Sequence, residues 1–159
     1  MKVEAISVFN SKNCQGYVEI SELDNSQMLS FKIKLKKLPP GEHGFHIHEA
    51  GNLLDGCSSC CSHFNPLNKK HGGLEDKLNR HLGDLGNIIA DKNGVCDMEI
   101  KVRYLKLRGF KFNIIGRSIV VHADRDDLGK GNNSESLKTG NAGKRIGCGV
   151  IGYKNAHYF

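Results

Sequence analysis

Residues 96–104 alternate without a break. Cys96, Met98, Ile100, Val102 and Tyr104 fall on one side, and Asp97, Glu99, Lys101 and Arg103 on the other. A period of two is the mark of a strand with one buried face. Phe31, Ile33 and Leu35 alternate with Lys32, Lys34 and Lys36 in the same way. Residues 3–9, 17–20, 118–122 and 149–153 are shorter candidates. Asp91-Lys92-Asn93-Gly94 and Leu38-Pro39-Pro40-Gly41 supply turn chemistry between strands. Many short strands with little helix predict an all-β chain, an antiparallel sandwich or barrel.

Two stretches, 49–86 and 123–144, lack that period and are rich in Gly, Asn, Asp and Ser. Loops this long inside a small domain usually carry function. Only residues 75–82 suggest a short helix. With 159 residues and no internal repeat, the chain is expected to be one domain, 1–159. A 38% hydrophobic fraction with 19 glycines excludes wholesale disorder and collagen-like sequence. No apolar run approaches the roughly 20 residues of a membrane span. Met1-Lys2-Val3-Glu4-Ala5 opens no apolar signal segment, so an intracellular protein without a signal peptide is expected. The net charge of +6 suits an anionic partner without choosing among them. Six cysteines in such a chain point to metal binding, redox chemistry or one exceptional disulfide.

Histidine is the abundant reactive residue, with eight copies. His46 and His48 stand at i and i+2, which places both rings on one face of a strand. His63, His71, His81 and Asp84 lie in the first long loop, and His122 ends the apolar run Ile119-Val120-Val121. Imidazoles with one carboxylate suit zinc or copper better than calcium or magnesium.

At this point the residues resemble a family. His46-Ile47-His48-Glu49, His63-Phe64-Asn65-Pro66-Leu67, His71-Gly72-Gly73 and 80–87 are similar to the copper/zinc superoxide dismutases. So are Val120-Val121-His122, 126–131, 138–143, Arg145 and 148–152, in collinear order over essentially the whole chain. The resemblance implies an eight-stranded antiparallel Greek-key β-barrel or sandwich with two long functional loops, the zinc loop and the electrostatic loop. It implies one copper per chain on His46, His48, His63 and His122. It also implies one zinc per chain on His63, His71, His81 and Asp84, with His63 bridging. Asp126 is then the carboxylate that ties His46 to His71, and His43 is structural rather than a ligand. Arg145 and His63 are the catalytic residues: the cationic fork orients superoxide, and His63 delivers a proton. Thr139, Lys138 and Glu135 shape and charge the entrance channel. Cys57 and Cys148 match the family's disulfide.

The implied partners are superoxide, a second copy of the chain as a homodimer, and a copper chaperone, with no nucleic acid and no membrane. Residues 51–52, 115–116 and 150–152 match dimer-contact segments. The expected location is the cytoplasm, a host's were the source viral. An alternative on the same fold is a chaperone-like metal binder or decoy without turnover.

Several residues depart from the family. Ser134 stands where a second Glu is frequent, and Lys144 sits beside the arginine; both make the rim more positive. Cys60 and Cys61 occupy positions where small residues are expected. They offer a Cys57–Cys60 disulfide or soft copper ligands during loading, beside the plainer reading of packing. Cys14 and Cys96 read as buried small hydrophobes. Leu74 replaces a common proline, and nine residues separate His71 from His81, one more than usual. Residues 101–111 carry five cations with interleaved aromatics, unlike the family; a solvated strand face is the expected reading. His157 is expected to be an incidental tail histidine.

Overall fold

The computed structural model describes residues 2–24 and 27–155, so His157 lies outside the described residues. Eight strands form one sheet: β1 (Glu4–Ser11), β2 (Cys14–Glu22), β3 (Met28–Lys36), β4 (Gly41–His48), β5 (Asp84–Ala90), β6 (Cys96–Arg103), β7 (Ser118–His122) and β8 (Arg145–Tyr153). All strand pairs are antiparallel, in the order β5-β4-β7-β8-β1-β2-β3-β6. The end strands β5 and β6 pack together, and the sheet becomes a nearly closed barrel. The neighbours β3–β6, β4–β7 and β8–β1 are not consecutive, which is the crossing pattern of a Greek key. Ala5, Val18, Ile20, Phe31, Ile33, Phe45, Ile47, Ile88 and Ile119 fill the interior.

The alternation predicted for β3 holds through Lys36, and β6 begins at Cys96 as expected. It stops one residue early. Tyr104 has a φ of 73° and is 55% exposed, so it leaves the ladder rather than joining the inner face. Met98 and Ile100 on that face are only half-buried. No helix forms over 75–82. Asp76 Oδ1 accepts the N–H groups of both Leu78 and Asn79 at 2.9 Å, a local alternative to helical bonding. β5 straddles the end of the stretch read as loop: Asp84, Leu85 and Gly86 fall inside it and are buried in succession, so the strand opens with no period of two.

Cys57 and Cys148 form a disulfide, tying the 3-10 turn Gly56–Cys60 to β8. Cys14, Cys60 and Cys96 are buried free thiols, and Cys61 is an exposed one. The Cys57–Cys60 pairing is therefore not formed here.

Candidate metal centre

β4 supplies two faces. Phe45 and Ile47 point into the apolar core, so His46 and His48 emerge together on the other side. That side is covered by the 49–83 loop, and all six residues from His43 to His48 are buried. The loop is stitched to β4 by Phe64 N–H donating to Ile47 O and Ile47 N–H donating to Gly83 O, each at 2.8 Å. This brings His63 against His48 and places His81 and Asp84 beside it. His122 ends β7 at an irregularity: Val121 pairs Gly147, and the register then shifts so that His122 pairs Arg145. Such a bulge re-aims a side chain, here toward His46 and His48.

Two groups of ligand-capable atoms result, each lying within 4.8 Å: His46, His48, His63 and His122, and His46, His63, His71 and Asp84. His81 joins the second, its Nδ1 3.2 Å from both His63 Nδ1 and Asp84 Oδ1. His46 and His63 are common to both groups, but Asp126 takes Nε2 of His46 and leaves that ring a single nitrogen to give. Every residue named from the sequence as a ligand is thus found in one assembly.

Hydrogen bonds decide which nitrogen of each ring is free. Asp126 takes His46 Nε2 at 2.6 Å and His71 Nε2 at 2.7 Å, the two partners expected of it. His48 Nδ1 donates to Cys61 O at 2.8 Å, and His122 Nδ1 to Gly143 O at 3.1 Å. Their remaining nitrogens face each other, His48 Nε2 being 3.3 Å from His122 Nε2. With Nδ1 the donor in each ring, both Nε2 atoms are bare lone pairs. Nδ1 of His46 and of His71 are buried without a hydrogen-bond partner. His71 Nδ1 lies 3.0 Å from Asp84 Oδ2, yet out of line for a hydrogen bond. Opposed lone pairs and orphaned buried nitrogens are costly unless a cation lies among them. The residues therefore fit two metal ions.

Burial and then the neighbouring rings hold His48, His63 and His122 well below the usual imidazole range. His63 is lowered to about 4 and His122 to about 3, with His46 the next cause for each. His48 falls further, through burial and then His63. Burial would also lower His71, but the Asp126 and Asp84 carboxylates on either side raise it to about 9. Asp126 is buried too, yet His46 and His71 hold it down at about 2. His43 stands apart as a structural residue, its ring spanning Pro39 O at 2.7 Å and His122 O at 2.9 Å.

The first group opens onto a cleft of about 870 Å³ whose walls include Arg145, Thr139, Lys138 and Glu135. Arg145 Nη1 donates to Cys57 O at 2.7 Å, so the disulfide end positions the guanidinium. Thr139 Oγ1 donates to Glu135 Oε1 at 2.8 Å across the one-turn helix Ser136–Thr139. Lys144 and Ser134 do not line the cleft, whereas Lys69 and Lys70 do. Sequence reasoning passed over these two lysines, although they immediately precede His71. It also missed Asn87, which grips the Asp126 backbone through Asp126 N–H to Oδ1 at 2.7 Å and Nδ2 to O at 2.9 Å.

Fold and site together define a β-barrel metalloprotein with two overlapping histidine-rich groups. The sequence model of the copper/zinc superoxide dismutase family matches residues 14–151, and the chain belongs to that family. It is an oxidoreductase with copper and zinc as its metals. A Cu-Zn superoxide dismutase of Paramecium bursaria Chlorella virus 1 is 55% identical over 156 residues, covering 98% of this chain and 81% of the relative. An extracellular Cu-Zn superoxide dismutase of Drosophila melanogaster is 45% identical over 160 residues, covering 97% and 87%. Among solved structures, the clock protein EA4 superposes with a TM-score of 0.89 at 42% identity, covering 94% of each chain.

Proposed function

We propose that His46, His48, His63 and His122 hold copper, that His63, His71, His81 and Asp84 hold zinc, and that the cleft at Arg145 admits superoxide. The observation that carries this is the place of His63 between the two groups: its Nδ1 faces His81 and Asp84, and its ring lies against His46 and His48. Bound copper supplies one-electron cycling between Cu(II) and Cu(I), which takes one superoxide to oxygen and a second to hydrogen peroxide. The chain's residues do the rest. Arg145 presents a fixed cationic fork to a small anion and is itself anchored at Cys57. His63 lines the cleft and is the ring placed to pass a proton to the second superoxide. Asp126 fixes the rings of His46 and His71 at once, coupling the two sites. Lys69, Lys70 and Lys138 keep the mouth positive, an arrangement for which superoxide dismutase is itself a standard example of steering.

Several finer readings accompany this one. The chain forms one domain. It is a homodimer through the face where Gly51 closes on Gly116 O and Val150, with Leu53 and Leu54 exposed beside it. It works in the cytoplasm: four free cysteines, one of them exposed, suit a reducing compartment. Copper arrives from a chaperone.

The test is dismutation by the copper- and zinc-reconstituted protein, with metal content measured on the same sample. One copper and one zinc per chain with fast, salt-dependent turnover is expected. Full occupancy without turnover would instead make the chain a metal-binding relative on the same fold.

A further inference from the structure

Two regions that depart from the family's pattern meet in one place. Leu74, the lengthened segment between His71 and His81, and the basic run from Lys101 line a groove of about 570 Å³ between the first long loop and β6. Its floor is apolar, formed by Met28, Leu74 and Leu82. Lys77 rises from the loop wall. Lys101 and Arg103 rise from β6, where their spacing of two puts them on one face. No described residue forms an ion pair with Lys77, Lys101 or Arg103. Of the two acids in the lining, Asp76 already accepts two backbone N–H groups, and Glu75 is left beside the cations. Arg80 donates to Asp84 O at 3.0 Å and Leu82 O at 3.1 Å, holding the loop wall in place. Tyr104, turned out of the barrel at a φ of 73°, offers a ring at the end of the groove.

The charge is uneven along the sequence. Residues 101–123 contain six cations and no acid, which equals the net charge of the whole chain; the remaining residues balance at 17 against 17. None of that segment except His122 reaches the superoxide cleft; of its six cations, Lys101 and Arg103 line the groove, whereas Arg108 pairs with Glu22 and Arg117 packs on Phe64.

We propose that the groove binds a nucleoside polyphosphate. Its phosphates meet Lys77, Lys101 and Arg103, and its base lies against Tyr104 over Met28 and Leu74. A bare inorganic anion would make no use of the apolar floor or the ring. A duplex or a flat membrane would not enter a concavity. The volume lies within the roughly 300–1,000 Å³ of small-molecule sites, and multiple cations beside an aromatic platform match a polyanionic head on a planar body.

Isothermal titration of the metal-loaded protein near physiological salt tests this with four probes: ATP, adenosine, inorganic triphosphate and a short single-stranded oligonucleotide. ATP should bind most tightly. Lys101→Glu combined with Arg103→Glu should weaken it about tenfold or more, as loss of charge-assisted contacts does. Lys77→Glu, on the opposite wall, gives an independent reading of the same kind. Tyr104→Gly should weaken ATP and leave triphosphate unchanged. Lys92→Glu makes the same charge change in a turn away from the groove and should leave ATP binding intact. Dismutation should survive in all of these variants, which separates failure here from failure of the copper site. The proposal is overturned by absence of ATP binding, by triphosphate binding as tightly as ATP, by equal weakening in Lys92→Glu, or by an oligonucleotide that outcompetes ATP with steep salt dependence.

Discussion

Asp126 carries more of the site than any residue that would touch a metal. It is fully buried and divides its two oxygens between His46 and His71, and its backbone is gripped in turn by Asn87. Asp126→Asn keeps the shape but turns one acceptor into a donor facing a ring N–H. Metal affinity should fall about 10- to 100-fold, as read by chelator competition, with the fold retained by circular dichroism. Cys61 makes a different point. Its φ of 66° and ψ of −151° lie in a region that is essentially glycine's own, and its carbonyl is what orients His48. Strain of about 1–3 kcal/mol, offset in part by glycine's freedom in the unfolded chain, predicts that Cys61→Gly raises stability by about 1 kcal/mol in urea unfolding. Both side chains were visible in the sequence, but only Asp126's role was. The ligands were legible because imidazole is rarely so abundant without a task. The strain at Cys61 was not, because backbone dihedrals leave no trace in residue type when the residue present is the wrong one for them.

Among elements, legibility followed the periodicity. β3, β6 and β7 alternate or run apolar and were found; β5, which opens on the consecutively buried Asp84, Leu85 and Gly86, reads as neither strand nor helix until β4 is beside it. The segment 75–82 fails as a helix because Asp76 captures two backbone donors and Gly72 packs directly on Asn79 O. That packing makes the glycine a hinge of the zinc side. A Cβ at Gly72 would overlap the Asn79 carbonyl, and the residue adjoins His71. Gly72→Ala should therefore shift the wall that carries His81 and weaken zinc retention far more than copper retention. Metal analysis after graded chelation checks this; equal loss of both metals would mean that the two sites collapse as one. The electrostatic loop has its counterpart in Gly140, whose φ is 71° and whose Cβ position is taken by Asp126 Oδ1. Here a substitution would reach the metals through the carboxylate instead.

For the whole molecule, the decisive covalent choice is which cysteines pair. Cys57–Cys148 spans 91 residues of sequence. On the chain-entropy account, closing a loop of that size stabilises the fold by about 4–5 kcal/mol. The bond also holds the Cys57 carbonyl where Arg145 Nη1 binds it, so one link joins global stability to the active-site cation. Cys148→Ser should lower the unfolding free energy of the metal-free protein by up to about 4 kcal/mol. In the reconstituted protein it should cost turnover before it costs copper, because β4, β7 and the His63 segment carry the four copper-side rings and the 3-10 turn adds only the Cys61 carbonyl that orients His48. Arg145→Glu should lower turnover with copper still bound and the disulfide intact. Comparing the two variants separates the roles. If Cys148→Ser retains full turnover, Arg145 does not depend on the disulfide for its place. If it loses copper in step with turnover, the disulfide acts on the ligands themselves. Cys60, buried one turn from Cys57, gives the same comparison a further reading. In Cys148→Ser the released Cys57 thiol has Cys60 as its nearest candidate partner in sequence, and mass mapping under mild oxidation should find that pair, with Cys60→Ser abolishing it.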